Sequence, residues 1–390
     1  MQPSPPLRRF VFLGGYYPHT PEESRRRFAR GLAHFSTTWA IRAEAGGLTE
    51  DAGAATWPVA AAGPGWQQET AVHLFRWDDL ITADRSRNWL TRLPLGLAAF
   101  LDVVFSGTLL RYIAVSWRYA LFFLYPYLLL AALCACAWLL SGLVPAAGLR
   151  PLVALALGAG FIALLGGRLL IDHLIDDWIY AVRLIRKGDA AAEARLDALA
   201  RELAAAGHDE LVVFGHSLGA VHGACLIDRM LALAPDGPPI RFATAGSSVL
   251  KVALHPAARA IRAVLGRIAA SPRVIWVDFQ AHNDAMNFYK AEPVTTLKLA
   301  GRPALIRPVR FSALLSPARY RRIRRNFFRL HSQFISANDR RGRYDYYMIC
   351  CGPFPLETLA GDPNGAMDWI DDAGGLTGRG RTAAGRENAA

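Results

Sequence analysis

The chain has 390 residues and a formal net charge of +12; 53% of its residues are hydrophobic and only 19% are charged. That length accommodates one large domain or two ordinary ones, and the apolar balance is high for a soluble enzyme and points to membrane segments. The positive charge suits anionic lipid, and with no zinc-ligand spacing or nucleic-acid motif in the chain, nucleic acid is set aside as a partner. The five cysteines (Cys134, Cys136, Cys225, Cys350, Cys351) are odd in number, and two lie in an apolar run. They argue against a disulfide framework and for a reducing compartment.

Residues 1–7 are proline-rich and are expected to be disordered. Arg8 and Arg9 precede too few apolar residues for a signal-peptide core. Arg9–Leu13 predicts a strand running into Gly14-Gly15-Tyr16-Tyr17. Thr20-Pro21-Glu22-Glu23 then opens a helix, with a capping threonine, a first-turn proline and acids at the positive dipole end, and the helix is expected to reach about Ile41. Ala43–Pro64, rich in Gly and Ala, predicts a loop, and Thr70–Trp77 a second strand. Residues 89–110 are apolar with occasional charge, a pattern that fits an interfacial helix, a lid or a buried helix.

Tyr119–Val144 holds no charged residue over roughly 26 positions, enough to span a bilayer with some tilt. Pro151–Ile171 is apolar except for Arg168. Together they predict a transmembrane hairpin over residues 119–171, inserted between two parts of one domain (8–118 and 172–355). Arg111 and Arg118 before it, and Arg168, Arg183, Arg186 and Lys187 after it, outnumber Arg150 in the connecting turn. The positive-inside bias places both flanks in the cytoplasm. Trp178–Lys187 and Ala190–Ala205 predict amphipathic helices.

Leu211–Phe214 is a short apolar, β-branched run that predicts a buried parallel strand. It leads into Gly215-His216-Ser217-Leu218-Gly219 and a small-and-apolar segment, Ala220–Ala234, that predicts a helix. Strand, Gly-x-Ser-x-Gly and helix in that order is the context of a nucleophile elbow. Side chains at positions 215 and 219 would collide with the neighbouring elements, so both are glycine. The chain here resembles the α/β-hydrolase superfamily, and GHSLGA is similar to the elbow of lipases and esterases. The resemblance implies a doubly wound, mostly parallel sheet, Ser217 as nucleophile, and an oxyanion hole built from the Leu218 N–H and from Gly15 or Tyr16 in the loop after the first strand. No metal or cofactor is implied.

Beyond the elbow, Ile240–Ala245 and Arg273–Phe279 predict strands, Pro256–Ala270 a helix, Val294–Val309 an extended excursion over the site, and Tyr344–Cys351 a last strand. Residues 371–390 are expected to be disordered. The superfamily order of serine, acid, histidine leaves two acids, Asp284 and Asp278. His282-Asn283-Asp284-Ala285 is similar to the Asn-Asp-Pro-Val turn that holds the acid in lipases resembling fungal ones, with Ala285 replacing proline, and favours Asp284. His331 follows both acids and is the expected base. Six arginines from Arg319 to Arg329, interleaved with Tyr320, Phe327 and Phe328, suit an anionic headgroup layer. The expected substrate is a lipid or other acyl ester. The same triad also serves acyl transfer to an alcohol or amine, and a scaffold could retain the fold without catalysis.

Overall fold

The computed structural model describes residues 6–51 and 53–385. Among these, nine strands form one sheet: β1 (Leu7–Leu13), β2 (Arg42–Ala45), β3 (Thr49–Glu50), β4 (Ala54–Gly63), β5 (Trp66–Phe75), β6 (Glu210–His216), β7 (Ile240–Ala245), β8 (Val274–Ala281) and β9 (Leu305–Val309). The order is β2-β4-β5-β1-β6-β7-β8-β9, with β3 on β4. Pairing is parallel from β5 through β9, while β4 runs antiparallel to β5, β2 and β3. The fold is therefore mixed α/β with a mostly parallel sheet, compatible with the predicted hydrolase architecture. Central strands covered on both sides read as continuous apolar runs, as Val212, Val213 and Phe214 do with no exposed surface.

The helices begin with α1 (Pro21–Trp39), whose start is fixed by a full capping box: the Glu23 N–H donates to the Thr20 hydroxyl, and the Thr20 N–H donates to the Glu23 carboxylate. Then follow α2 (Asp78–Arg85), α3 (Trp89–Phe105), α4 (Thr108–Val115), α5 (Trp117–Ser141), α6 (Arg150–Leu165), α7 (Ile171–Lys187), α8 (Ala190–Ala205) and α9 (Gly219–Leu233). Residues Leu80–Gly188 with Leu254–Ala257 make one compact unit, and the remaining described residues make the other. The helical unit thus interrupts the sheet-bearing one between β5 and β6.

Within the helical unit, α3 and α7 meet closely enough that a side chain on Gly96 would lie 2.5 Å from Ile175. The Arg92 Nε donates to Asp176 at 3.0 Å across the same contact. On α5, Phe123 packs edge-on against Trp178 of α7 at 4.6 Å. α5 is the one helix of the described residues that is long and apolar enough to cross a membrane alone, with mean hydropathy 2.1 and 28% of its most apolar window buried. Its 25 residues extend about 37 Å at 1.5 Å per residue, more than the ~30 Å hydrocarbon core. The predicted partner span is shorter than expected: α6 stops at Leu165 after 16 residues, about 24 Å. Gly166 and Gly167 follow it, and Leu170 takes a left-handed φ of 61° where α7 begins. A complete two-helix hairpin is therefore replaced by one spanning-length helix and a shorter apolar companion. α3 and α4 are bent at 67° to each other.

Four other expectations change. Ala43–Pro64 is not a loop: β4 and β5 form a hairpin closed by Pro64-Gly65, with Gly65 at φ 80°. Tyr344–Cys351 is not a strand: Tyr346–Cys351 is a helix whose start is capped by Asp345, which accepts from the Tyr347 and Met348 N–H groups. The buried Arg8 guanidinium closes its other end, donating to Ile349 O, Gly352 O and Phe354 O at 2.9–3.1 Å; a cation at a helix C-terminus is the favourable sign. Of Val294–Val309, only the end is extended, as β9 at the sheet edge, with a short helix at Pro293–Thr296. Residues 371–385, expected to be disordered, bridge back at Ile370–Leu376 and form a helix at Gly378–Ala383. The Trp66 indole donates to Gly374 O at 3.0 Å. Residues 1–5 and 386–390 of the two expected tails lie outside the described residues.

Candidate active site

β1 and β6 are parallel neighbours, with Leu13 opposite Gly215, so the turns after both strands emerge side by side. β6 ends at His216 and α9 starts at Gly219, leaving Ser217 and Leu218 to make the connection. Ser217 takes φ 56°, a strained left-handed conformation for a residue with a side chain. The turn is tight enough to demand the two glycines. A Cβ at Gly219 would lie 1.9 Å from Leu13 O, and one at Gly215 would lie 2.5 Å from the Ala220 Cα.

The β1 loop approaches just as closely, since a Cβ at Gly15 would lie 2.8 Å from the Ser217 Cβ. Gly15, one of the two residues expected as oxyanion donors, is thus placed beside the serine, while the buried Tyr16 ring packs edge-on against Trp77 at 6.0 Å. Leu218 precedes the first residue of α9, where N–H groups have no intrahelical acceptor and the dipole favours negative charge.

Asp284 lies in the turn after β8, which carries its own lock. The Met286 N–H donates to Asp284 Oδ1 at 2.9 Å, and the Asn287 side-chain amide donates to Ala281 O and Asp284 O at 2.9 and 2.7 Å. Those bonds hold the bend around Ala285. His331 ends a short helix, Phe327–His331, and is fully buried. Its Nδ1 lies 2.7 Å from Asp284 Oδ2. An ionised carboxylate only accepts, so that contact puts the proton on Nδ1 and leaves a lone pair on Nε2. That Nε2 is buried and has no hydrogen-bond partner.

Ser217 and His331 are therefore not hydrogen-bonded to each other in this structure. They are brought to the same turn instead, Gly246 to Ser248 at the end of β7. The Ser217 N–H donates to Ala245 O at 3.2 Å, the Ser248 N–H donates to Ser217 O at 3.1 Å, and the two hydroxyls are 3.4 Å apart. The His331 ring packs against Gly246, where an added Cβ would lie 2.6 Å from Cε1 and where φ is 55°. Gly246→Ala is expected to push His331 away from the serine while leaving Asp284 in its turn. Any turnover that needs the His331 imidazole at Ser217 should slow at least ~10-fold, because a 1 Å misplacement alone can cost 10²-fold; steady-state rates beside an unchanged circular dichroism spectrum check it.

Asp278, the alternative acid, sits within β8, and its hydrogen bonds go to side chains other than histidine. It accepts from the Thr244 hydroxyl at 2.6 Å and from the Gln280 amide at 2.7 Å. Burial pushes its carboxyl up to about 6 despite those two bonds. His216, neighbour of the serine, has its own place. Burial and the adjacent His331 hold its imidazole well below the usual histidine range, so it stays neutral. Its Nε2–H donates to the His331 carbonyl at 3.2 Å, and the two rings are 4.5 Å apart. His216, Gly246 and Ser248 were not read as site residues from the sequence. His216 was visible only as the elbow's variable position, and the Gly246-Ser247-Ser248 turn carries no motif.

Among the described residues, no three of His, Cys, Asp and Glu converge as a metal site. Compared with protein-family models, curated proteins and solved structures, the chain matches none.

Proposed function

We propose that the chain is a membrane-embedded serine hydrolase that cleaves an acyl ester, a lipid or related substrate, through an acyl-enzyme on Ser217. The observation that carries the reading is the buried His331 Nε2, a partnerless lone pair on a ring that Asp284 holds through Nδ1 and that packs on Gly246 in the turn that seats Ser217. Hydrogen bonds of this kind are often long in a ligand-free enzyme and tighten with substrate.

In the reaction, Nε2 takes the Ser217 proton as Oγ attacks the ester carbonyl. The oxyanion is held by the Leu218 N–H and an N–H of the Gly15–Tyr16 loop. The imidazolium, steadied by Asp284, returns the proton to the leaving alkoxide, and the alcohol departs. Water then attacks the acyl-enzyme by the same route, releasing the acid and restoring Ser217. α5 supplies the bilayer span, with α6 as its apolar companion; the exposed Leu139 (71%) and Leu155 (72%) suit lipid as surroundings. The basic flanks support a cytoplasmic side for the catalytic part, at what we read as a bacterial inner membrane.

The test is turnover of p-nitrophenyl octanoate by the full chain in phosphatidylcholine nanodiscs. Turnover above empty nanodiscs, lost on treatment with a fluorophosphonate, supports the reading. No turnover on esters of any chain length would favour a scaffold that kept the fold without catalysis.

A further inference from the structure

A cavity of about 580 Å³ opens in the sheet-bearing unit between α1 and the segment that leads to His331. Its volume is in the range of small-molecule sites, and nothing in the proposed reaction uses it. Phe12, Phe28, Trp57 and Tyr346 furnish an aromatic floor, and Arg27, Arg30 and Arg329 stand around the opening.

The cations are not consumed by the protein. Arg319, also at the cavity, is neutralised by Asp339 at 2.6 Å. Among the described residues, by contrast, no carboxylate forms an ion pair with Arg27, Arg30 or Arg329; Arg27 meets the His19 ring. All three are exposed. Deeper in, Trp57 is 3% exposed and its indole Nε1–H has no acceptor in the protein. Buried donors without a partner are rare, and the residue that carries this one is among those lining the cavity.

We propose that the cavity binds a single-chain amphiphile with an anionic head, the chain lying on Phe12, Phe28 and Tyr346 and the head, a carboxylate or a phosphate, at Arg27, Arg30 and Arg329. The site is distinct from Ser217. Tyr17 lines the cavity on one side, and on the other its ring stacks on His216 at 6.4 Å; Phe328 closes edge-on against Tyr17 at 6.1 Å. The amphiphile is therefore one aromatic ring away from the nucleophile's neighbour, and binding needs no chemistry at Ser217.

The experiment uses the full chain carrying Ser217→Ala, in phosphatidylcholine nanodiscs, with dodecanoate bearing a terminal diazirine as probe. Photolabelling is expected on peptides covering residues 24–31 and 323–337. Excess dodecanoate or dodecyl phosphate should compete it away, and dodecanol should compete at least tenfold more weakly. R30E/R329E changes two exposed side chains, so the fold is expected to hold, and labelling should fall at least tenfold. Three results would each overturn the proposal: labels confined to the apolar helices, dodecanol competing as well as dodecanoate, or labelling in R30E/R329E equal to that of the parent. Inorganic phosphate competing as well as dodecyl phosphate would likewise remove the chain from the account. Because the protein tested lacks the serine hydroxyl, its outcome is separate from whether the chain hydrolyses esters.

Discussion

Ser217→Ala is expected to lower kcat for ester hydrolysis by about 10⁴-fold or more, with little change in folding. The size of the effect follows from the chemistry. Without Oγ there is no acyl-enzyme, and only oxyanion stabilisation and substrate binding remain. The mildness on folding follows from the contacts. Oγ makes one long contact, 3.4 Å to Ser248, while the backbone bonds to Ala245 and Ser248 that hold the turn do not involve the side chain. The strained φ of 56° is as accessible to alanine as to serine. Rates on p-nitrophenyl octanoate beside a melting curve separate the two effects; a variant that melts as the parent and retains its rate would show that hydrolysis arises elsewhere.

Asp284→Asn is expected to cost about 10⁴-fold in kcat while preserving the site's shape, the scale on which a triad aspartate-to-amide change acts. The local bonding dictates why. Asp284 Oδ1 accepts from the Met286 N–H, and an asparagine keeps that bond by placing its carbonyl oxygen there. The amide NH₂ then faces His331 Nδ1, which must accept. The proton moves to Nε2, and the imidazole can no longer take one from Ser217. Removing a negative partner from a fully buried imidazole also disfavours the imidazolium of the transition state. Asp278→Asn is the contrast: its carboxyl faces Thr244 and Gln280, so the rate should stay within a few-fold of the parent. A larger loss for Asp278→Asn than for Asp284→Asn would reverse the assignment of the two acids.

The elements that position the serine were legible because their signals are local. VVF before the elbow, glycines on both sides of it and a capping box at Thr20 each act within a few residues, and β6, α9 and α1 lie where those signals put them. The hairpin of β4 and β5 was missed because alanines carry little strand preference. The signal that could have found it was the Pro64-Gly65 turn between segments of matching length. The run Tyr346–Cys351 was misread because every residue in it is buried, and an apolar run packed on all sides has neither period to show. What decides it is distant: Arg8 on β1 and Asp345 satisfy its two ends. α6 was overextended because hydropathy continues through Gly166-Gly167, although the helix does not.

The site divides in the same way. Asp284 was legible through chain order and the resemblance of its turn, His331 through chain order alone, and the structure places them 2.7 Å apart across 47 residues of sequence. Gly246 and Ser248 carry no motif at all. Their relevance exists only once β7 lies beside β6 and presents its turn to both Ser217 and His331.

The most direct test of the central claim is the site of covalent capture by a fluorophosphonate. The full chain is treated in nanodiscs, digested, and the phosphonylated peptide sequenced by mass spectrometry. The account predicts a single adduct on Ser217, formed quickly in the parent and at least ~10³-fold more slowly in Asp284→Asn, where the base is lost but the hydroxyl is not. No adduct on Ser217, or one that forms equally fast without the Asp284 carboxylate, would contradict it.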